Sequence, residues 1–172
     1  MINTIVVGVD GSQIGEKALA LAGEIASKHQ AKVVLVHVLL RSAGIDELAA
    51  IAQRLGFFDA VKAGLDQSVI PPIAAAEAGA VVPAPVFIVS DETLRAFGEK
   101  ILAASKTVVP SGAAMVLADA DPAGALLKAA EDNRADLIVL GSRGLGRIEG
   151  LLLGSVSQKV LQQAACACLV VK

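Results

Sequence analysis

The sequence predicts a doubly wound α/β domain, an open parallel sheet of five strands with helices on both faces. Three observations carry this: apolar β-branched runs, amphipathic helical runs, and the alternation of the two along the chain. At 172 residues the chain has the length of one ordinary domain, so one core is expected.

Ile2 to Val9 is a β-branched run closed by Asp10-Gly11-Ser12, which reads as a strand buried on both faces and ended by a turn. From Gln13 to Lys28 the residues Ile14, Ala18, Leu21, Ala22 and Ile25 recur at helical spacing, with Glu16, Lys17, Glu24 and Lys28 on the other face. Ala31 to Leu40 repeats the strand pattern, so the first forty residues form a right-handed βαβ unit. Ala113 to Ala118 reads as the next strand of this sheet. Pro122 to Asn133 follows as a helix opened by Asp121, and Ala135 to Leu140 as a further strand. Gly154 to Ala164 reads as the last helix and Ala167 to Val171 as the last strand.

The middle, about 41–110, is longer than the connections usual in such folds and is read as an insertion into a single domain. It holds two expected helices, Ile45 to Leu65 and Asp91 to Lys106, separated by a proline-bearing stretch. All four phenylalanines, Phe57, Phe58, Phe87 and Phe97, fall here, which points to a small apolar cluster of its own. Ordinary packing, a lid over a ligand and a partner surface are all open readings.

Composition excludes several function classes. Net charge is −2 with both signs scattered, so the chain carries no electrostatic footprint for nucleic acid or an anionic membrane. The most apolar stretch, Val69 to Val89, has the length of a membrane span. Pro71, Pro72, Pro83, Pro85 and Glu77 interrupt it, and no span is expected. Met1 to Thr4 lead straight into a strand without the features of a secretory signal, which makes the cytoplasm the expected location. Cys166 and Cys168 alternate on one strand face, too poorly placed to bond each other, and read as small buried hydrophobes. With only His29 and His37 besides, no zinc-ligand spacing is present.

After the strand ending at Leu140 comes Gly141-Ser142-Arg143-Gly144, then nine residues, then Gly154-Ser155-Val156-Ser157 opening a helix. This is chemistry suited to phosphate. Gly141 and Gly144 let backbone approach a ligand and permit positive φ values that aim N–H groups into one concavity. The helix start adds unpaired N–H groups and a favourable dipole, and Ser155 and Ser157 offer hydroxyls. A plain turn followed by a helix cap is the competing reading. The chain has no P-loop ending in Lys-Ser or Lys-Thr, and after Gly144-Leu145-Gly146 the next glycine, Gly150, comes one place too late for a dinucleotide fingerprint.

In these segments the chain resembles the universal stress proteins, in their ATP-binding branch. Ile5 to Ser12 is similar to the family's first strand and turn, and Val34 to Val38 to its second strand. Asp136 to Gly144 and Gly154 to Val171 are similar to its signature and closing strand, with the Gly-two-Gly-nine-Gly-Ser spacing met in full. The segment from about Arg41 to Pro110 does not match closely, and Ala167 stands where the family commonly has proline.

The resemblance implies a strand order of 3-2-1-4-5, with a switch point between the first and fourth strands, where ligands of open α/β sheets bind. It implies that Asp10 accepts hydrogen bonds from ribose hydroxyls and that Val9 and Val38 line an adenine pocket. A turn aspartate and plain core valines are the alternatives. Arg143 and Arg147 are candidates for an outer phosphate, although loop arginines are commonly solvated. The candidate nucleotide set is therefore Val9, Asp10, Val38, Leu140, Gly141, Arg143, Gly144, Arg147, Gly154, Ser155, Val156 and Ser157. His37 should face away from Val38 as a satisfied structural histidine.

The expected function is that of an ATP-binding regulator of the stress response, with Mg²⁺ accompanying the nucleotide and partners reading the bound state. A slow Mg²⁺-dependent ATPase is the enzymatic alternative. Between Gly141 and Ser157 the only charged side chains are Arg143, Arg147 and Glu149, so no evident base or catalytic residue is assigned there. A nucleotide-free dimeric interaction module is the third class. Cys168 to Val171 would lie at a sheet edge, which makes homodimerisation through that strand the expected assembly.

Overall fold

The computed structural model describes residues 1–67, 69–70, 86–109, 114–118, 121–145 and 153–172. These form two compact units, one of Met1–Leu39 with Gly98–Lys172, the other of Leu40–Phe97.

The first unit is built on strands β1 (Thr4–Gly8), β2 (Lys32–Val38), β5 (Ala114–Ala118), β6 (Leu137–Gly141) and β7 (Ala167–Val171). All four pairings are parallel, and the order β5-β2-β1-β6-β7 is 3-2-1-4-5 within this sheet, the order the resemblance implies. β1 is central: Val6 lies beside Val34 on one side and Ile138 on the other. Strands in this position are buried on both faces, which is why they read as unbroken apolar runs.

Alternation along the strands divides the core in two. Val6, Val34, Val36, Ile138 and Leu140 pack with Ala123, Leu126, Ala129 and Ala130 of α5 (Pro122–Asp132) and Val160 of α6 (Ser155–Gln163). The alternate residues Ile5, Val7, Leu35 and Val139 are equally buried. They point to the opposite face, where α1 (Gln13–His29) buries Ala18, Leu19, Ala22 and Ala26. Two caps begin these helices. Ser12 Oγ accepts from the Gly15 N–H at 3.0 Å, and an Asp121 carboxylate oxygen accepts from the Gly124 N–H at 2.8 Å, with Pro122 in the first turn. Asp121 also meets Lys159 of α6 at 2.8 Å, and these two donors hold its carboxyl below the ordinary range.

At the amino ends of the strands, the Asp136 carboxylate accepts from the Asn3 and Thr4 N–H groups at 2.7 and 3.0 Å. Those amides also hold it below its ordinary pKa. The β1–β6 pair is thus tied at the end remote from the candidate loop.

The second unit contains α2 (Ile45–Arg54), α3 (Phe58–Asp66) and a two-stranded antiparallel pair, β3 (Val69–Ile70) with β4 (Val86–Phe87). The first turns of α4 (Asp91–Lys106) also belong to it, and the rest of α4 belongs to the first unit. The single helix expected over Ile45 to Leu65 is two helices. Gly56 takes φ +75, a left-handed value that a continuing helix cannot contain, and the chain restarts at Phe58. Phe57 and Phe97 meet edge to face, with centroids 5.1 Å apart, as part of the expected aromatic cluster. Phe58 is half-buried, and the Phe87 side chain lies outside the described residues. So does the proline-bearing stretch 71–85.

The remaining differences are at element ends. Gly154 and Ala164 are the caps of α6 rather than members of it, and β6 starts at Leu137 rather than Ala135. Cys166, one residue before β7, and Cys168, on that edge strand, are half-buried, not buried. Burial raises both thiol pKa values. No helix among the described residues is long and apolar enough to cross a membrane.

Candidate functional site

β1 and β6 lie side by side, yet their connections leave in opposite directions across the sheet, so a crevice forms beyond their carboxyl ends. β1 delivers Val9, Asp10 and the turn at Gly11, which takes φ +76. β6 delivers Gly141 and the loop that follows. The two candidate segments, separated by more than a hundred residues in sequence, meet here.

Asp10 is the point of contact. One carboxylate oxygen, Oδ1, accepts from the Ser12 N–H at 2.9 Å, which fixes the side chain over the start of α1. A Cβ added to Gly15 would stand 2.5 Å from that oxygen, and a Cβ added to Gly144 would stand 2.6 Å from Oδ2. Both distances are far inside contact range, so the carboxylate lies between two glycines, and a side chain at either would displace it. Oδ2 has no partner among the described residues and is available as an acceptor.

Of the two reasons expected for glycine in the loop, positive φ is met at neither Gly141 nor Gly144. What each supplies is clearance. A Cβ on Gly141 would meet the Arg143 carbonyl oxygen and Ile14 Cγ2 at 3.0 Å and the Gly15 nitrogen at 3.3 Å. Gly154 is less constrained: its φ of −75 and ψ of 160 suit any residue, and a Cβ there would make only ordinary contact.

Ser142 joins the loop to its surroundings. Its N–H donates to Val171 O at 2.6 Å at the end of β7, and its carbonyl accepts from the Gly154 N–H at 2.7 Å. Ser157 completes this arrangement and corrects an expectation. Expected to donate to phosphate, it is buried, and its hydroxyl donates to Gly141 O at 2.8 Å, with Ser142 O at 3.3 Å. A hydroxyl has one proton, so Ser157 braces the loop against α6. Ser155, two residues earlier at the start of α6, is exposed. No side chain among the described residues caps α6, so among these its first N–H groups are open to an acceptor.

The other candidates divide by what remains accessible. Leu140 and Val9 are buried, with Leu140 in the core beneath α5 and α6. Val156 packs against that same core, which leaves its backbone rather than its side chain facing the loop. Val38 is half-buried at the end of β2, and Arg143 is half-buried in the loop, without an ion pair among the described residues. Arg147 and Glu149 lie outside the described residues. Among those described, no group of three or more His, Cys, Asp or Glu could hold a metal ion.

His37 is only half satisfied. Its Nδ1 lies 2.8 Å from Val9 O, and its Nε2, also buried, has no partner among the described residues. Burial lowers its pKa against the opposing influence of the Val9 hydrogen bond and the Asp10 charge. Sequence reasoning missed Gly15 and Ser142. A glycine three places after the helix cap was the signal for the first, whereas Ser142 carried none beyond its place in the loop.

These features define a doubly wound α/β protein with a glycine-bearing loop at its topological switch point. The model of the universal stress protein family matches residues 1–172, and the chain belongs to that family. A universal stress protein of Thermus aquaticus is 33% identical over 175 residues, covering 100% of both chains. Among solved structures, a universal stress protein in complex with cAMP has a TM-score of 0.53 at 24% identity, covering 99% of this chain and 97% of its own. A family member from Arabidopsis thaliana with AMP bound also has a TM-score of 0.53, at 15% identity, covering 99% of this chain and 91% of its own.

Proposed function

We propose that this chain binds ATP at the β1–β6 switch point and acts as a regulatory protein of the stress response. The observation that carries the reading is the approach of Asp10 Oδ2 to Gly144. An acceptor suited to ribose hydroxyls and a loop suited to phosphates stand within one nucleotide's reach. The start of α6 supports it: no described side chain caps it, and open N–H groups and the helix dipole favour phosphate oxygens. The neighbours with cAMP and AMP support a nucleotide in this fold in general terms.

In this reading Asp10 takes the ribose and Val9 and Val38 flank the base. Gly141, Arg143, Gly144, Arg147, Gly154 and Ser155 serve the phosphates, with the backbone at Leu140 and Val156. Ser157 acts through Gly141. The described residues fit the nucleotide better than they fit a bare metal ion. Mg²⁺ would therefore arrive on the phosphates, where it neutralises their charge. We read the whole chain as one cytoplasmic nucleotide-binding domain with the segment at about 41–110 inserted.

Denaturing freshly purified protein and identifying released nucleotide by mass spectrometry tests the reading. ATP or its hydrolysis product, at a substantial fraction of the protein concentration, is the expected result. Release of no nucleotide, together with no ATP binding by calorimetry, would overturn it.

A further inference from the structure

We propose that His37 is the positioning residue of this site: by donating to the Val9 carbonyl it fixes the Val9–Asp10 peptide and so aims the Asp10 carboxylate at Gly144. Its consequence for affinity rests on the nucleotide reading; its geometry does not.

A carbonyl oxygen only accepts, so the 2.8 Å contact with Val9 requires the proton on Nδ1. The ring is 1% exposed, and burial favours its neutral form. Nε2 is then a buried acceptor with no partner among the described residues, which carries a desolvation cost that leucine or phenylalanine would avoid. What the imidazole adds in return is a single donor, and that donor is directed at the last carbonyl before Asp10.

Val9 lies one residue beyond β1. Its N–H still donates to Val36 O at 2.9 Å, but its carbonyl has passed the end of the strand and is held by the His37 side chain. The next peptide plane contains that carbonyl at one end and the Asp10 nitrogen and Cα at the other. Fixing the carbonyl therefore fixes the direction in which Asp10 leaves the strand. Asp10 Oδ1 can then take the Ser12 N–H while Oδ2 lies against Gly144.

The ring is itself confined. A Cβ on Gly98 of α4 would stand 2.7 Å from His37 Cδ2, 3.1 Å from Nε2 and 2.6 Å from Leu117 Cδ1 of β5. Glycine in the interior of a helix weakens it, so the bare position is explained by the ring it accommodates. Asp10 is the charged group whose field reaches the ring.

Three variants test the proposal. His37→Asn keeps an N–H donor at the same number of bonds from the backbone as Nδ1. His37→Gln moves that donor one bond outward, and His37→Leu removes it. Two readouts are taken: ATP affinity, and hydrogen exchange of the Ser12 amide relative to the core amide of Val139. We expect Leu and Gln to weaken ATP binding by about five-fold or more and to speed Ser12 exchange selectively, with Asn restoring both. If the Leu protein does not fold, the Asn and Gln pair decides. Should wild type bind no ATP, the nucleotide reading fails and Ser12 exchange alone judges His37. Equal Ser12 protection in the Asn, Gln and Leu proteins, or in Asn and Gln where Leu does not fold, would overturn the proposal.

Discussion

At the scale of the residue, clearance and hydrogen-bond direction decide what each group can do. Asp10 was legible in the sequence as the turn that ends the first strand, and its candidate role came from the resemblance. Its position between Gly15 and Gly144 was not, since that depends on α1 and the β6 loop converging. Ser157 was misassigned for a related reason: sequence offers a hydroxyl but not the carbonyl that claims its proton. His37 gives a residue-scale prediction in pH. Its folded pKa is lowered below the ordinary 6.5, so between those two values the unfolded chain binds more protons. Its contribution is present above about 6.5 and is lost as pH falls through the folded value. Urea titrations across pH 7.5 to 5 should show wild type losing stability more steeply than His37→Asn. Parallel curves would contradict the assignment of a neutral buried ring.

At the scale of the element, strand and helix types were readable wherever the apolar period was unambiguous. β7 agrees residue for residue with the expected Ala167 to Val171, and α4 with Asp91 to Lys106. The helix expected over Ile45 to Leu65 ran across Gly56, which adopts φ +75 and ends α2. The β3–β4 pair was not foreseen because two-residue strands carry no period. The joint between β6 and α6 gives a prediction at this scale. Ser157→Ala removes a buried donor and leaves the Gly141 carbonyl unpaired, which should cost about 1–3 kcal/mol of stability. Denaturant unfolding measures it, and a loss indistinguishable from zero would mean that the brace contributes nothing.

At the scale of the whole molecule, the parallel order β5-β2-β1-β6-β7 makes the switch point and leaves β7 at an edge. The sequence supplied the alternation; the order came from the resemblance, because nothing in one strand's composition names its neighbour. We propose that β7 pairs with its counterpart in a second copy, since an apolar edge strand with open backbone groups favours association. Sedimentation equilibrium at micromolar concentration should give a dimer that Val170→Lys or Val170→Pro weakens, and a monomeric wild type would exclude it. The central claim, that the β1–β6 crevice holds ATP, is tested most directly by calorimetry on nucleotide-free protein, comparing wild type with Gly144→Val. A valine there must displace the Asp10 carboxylate. The account predicts saturable binding of ATP with Mg²⁺ by wild type and a loss of about ten-fold or more in the variant, with the circular dichroism spectrum retained. Equal affinity in the two proteins, or no binding by either, would contradict it.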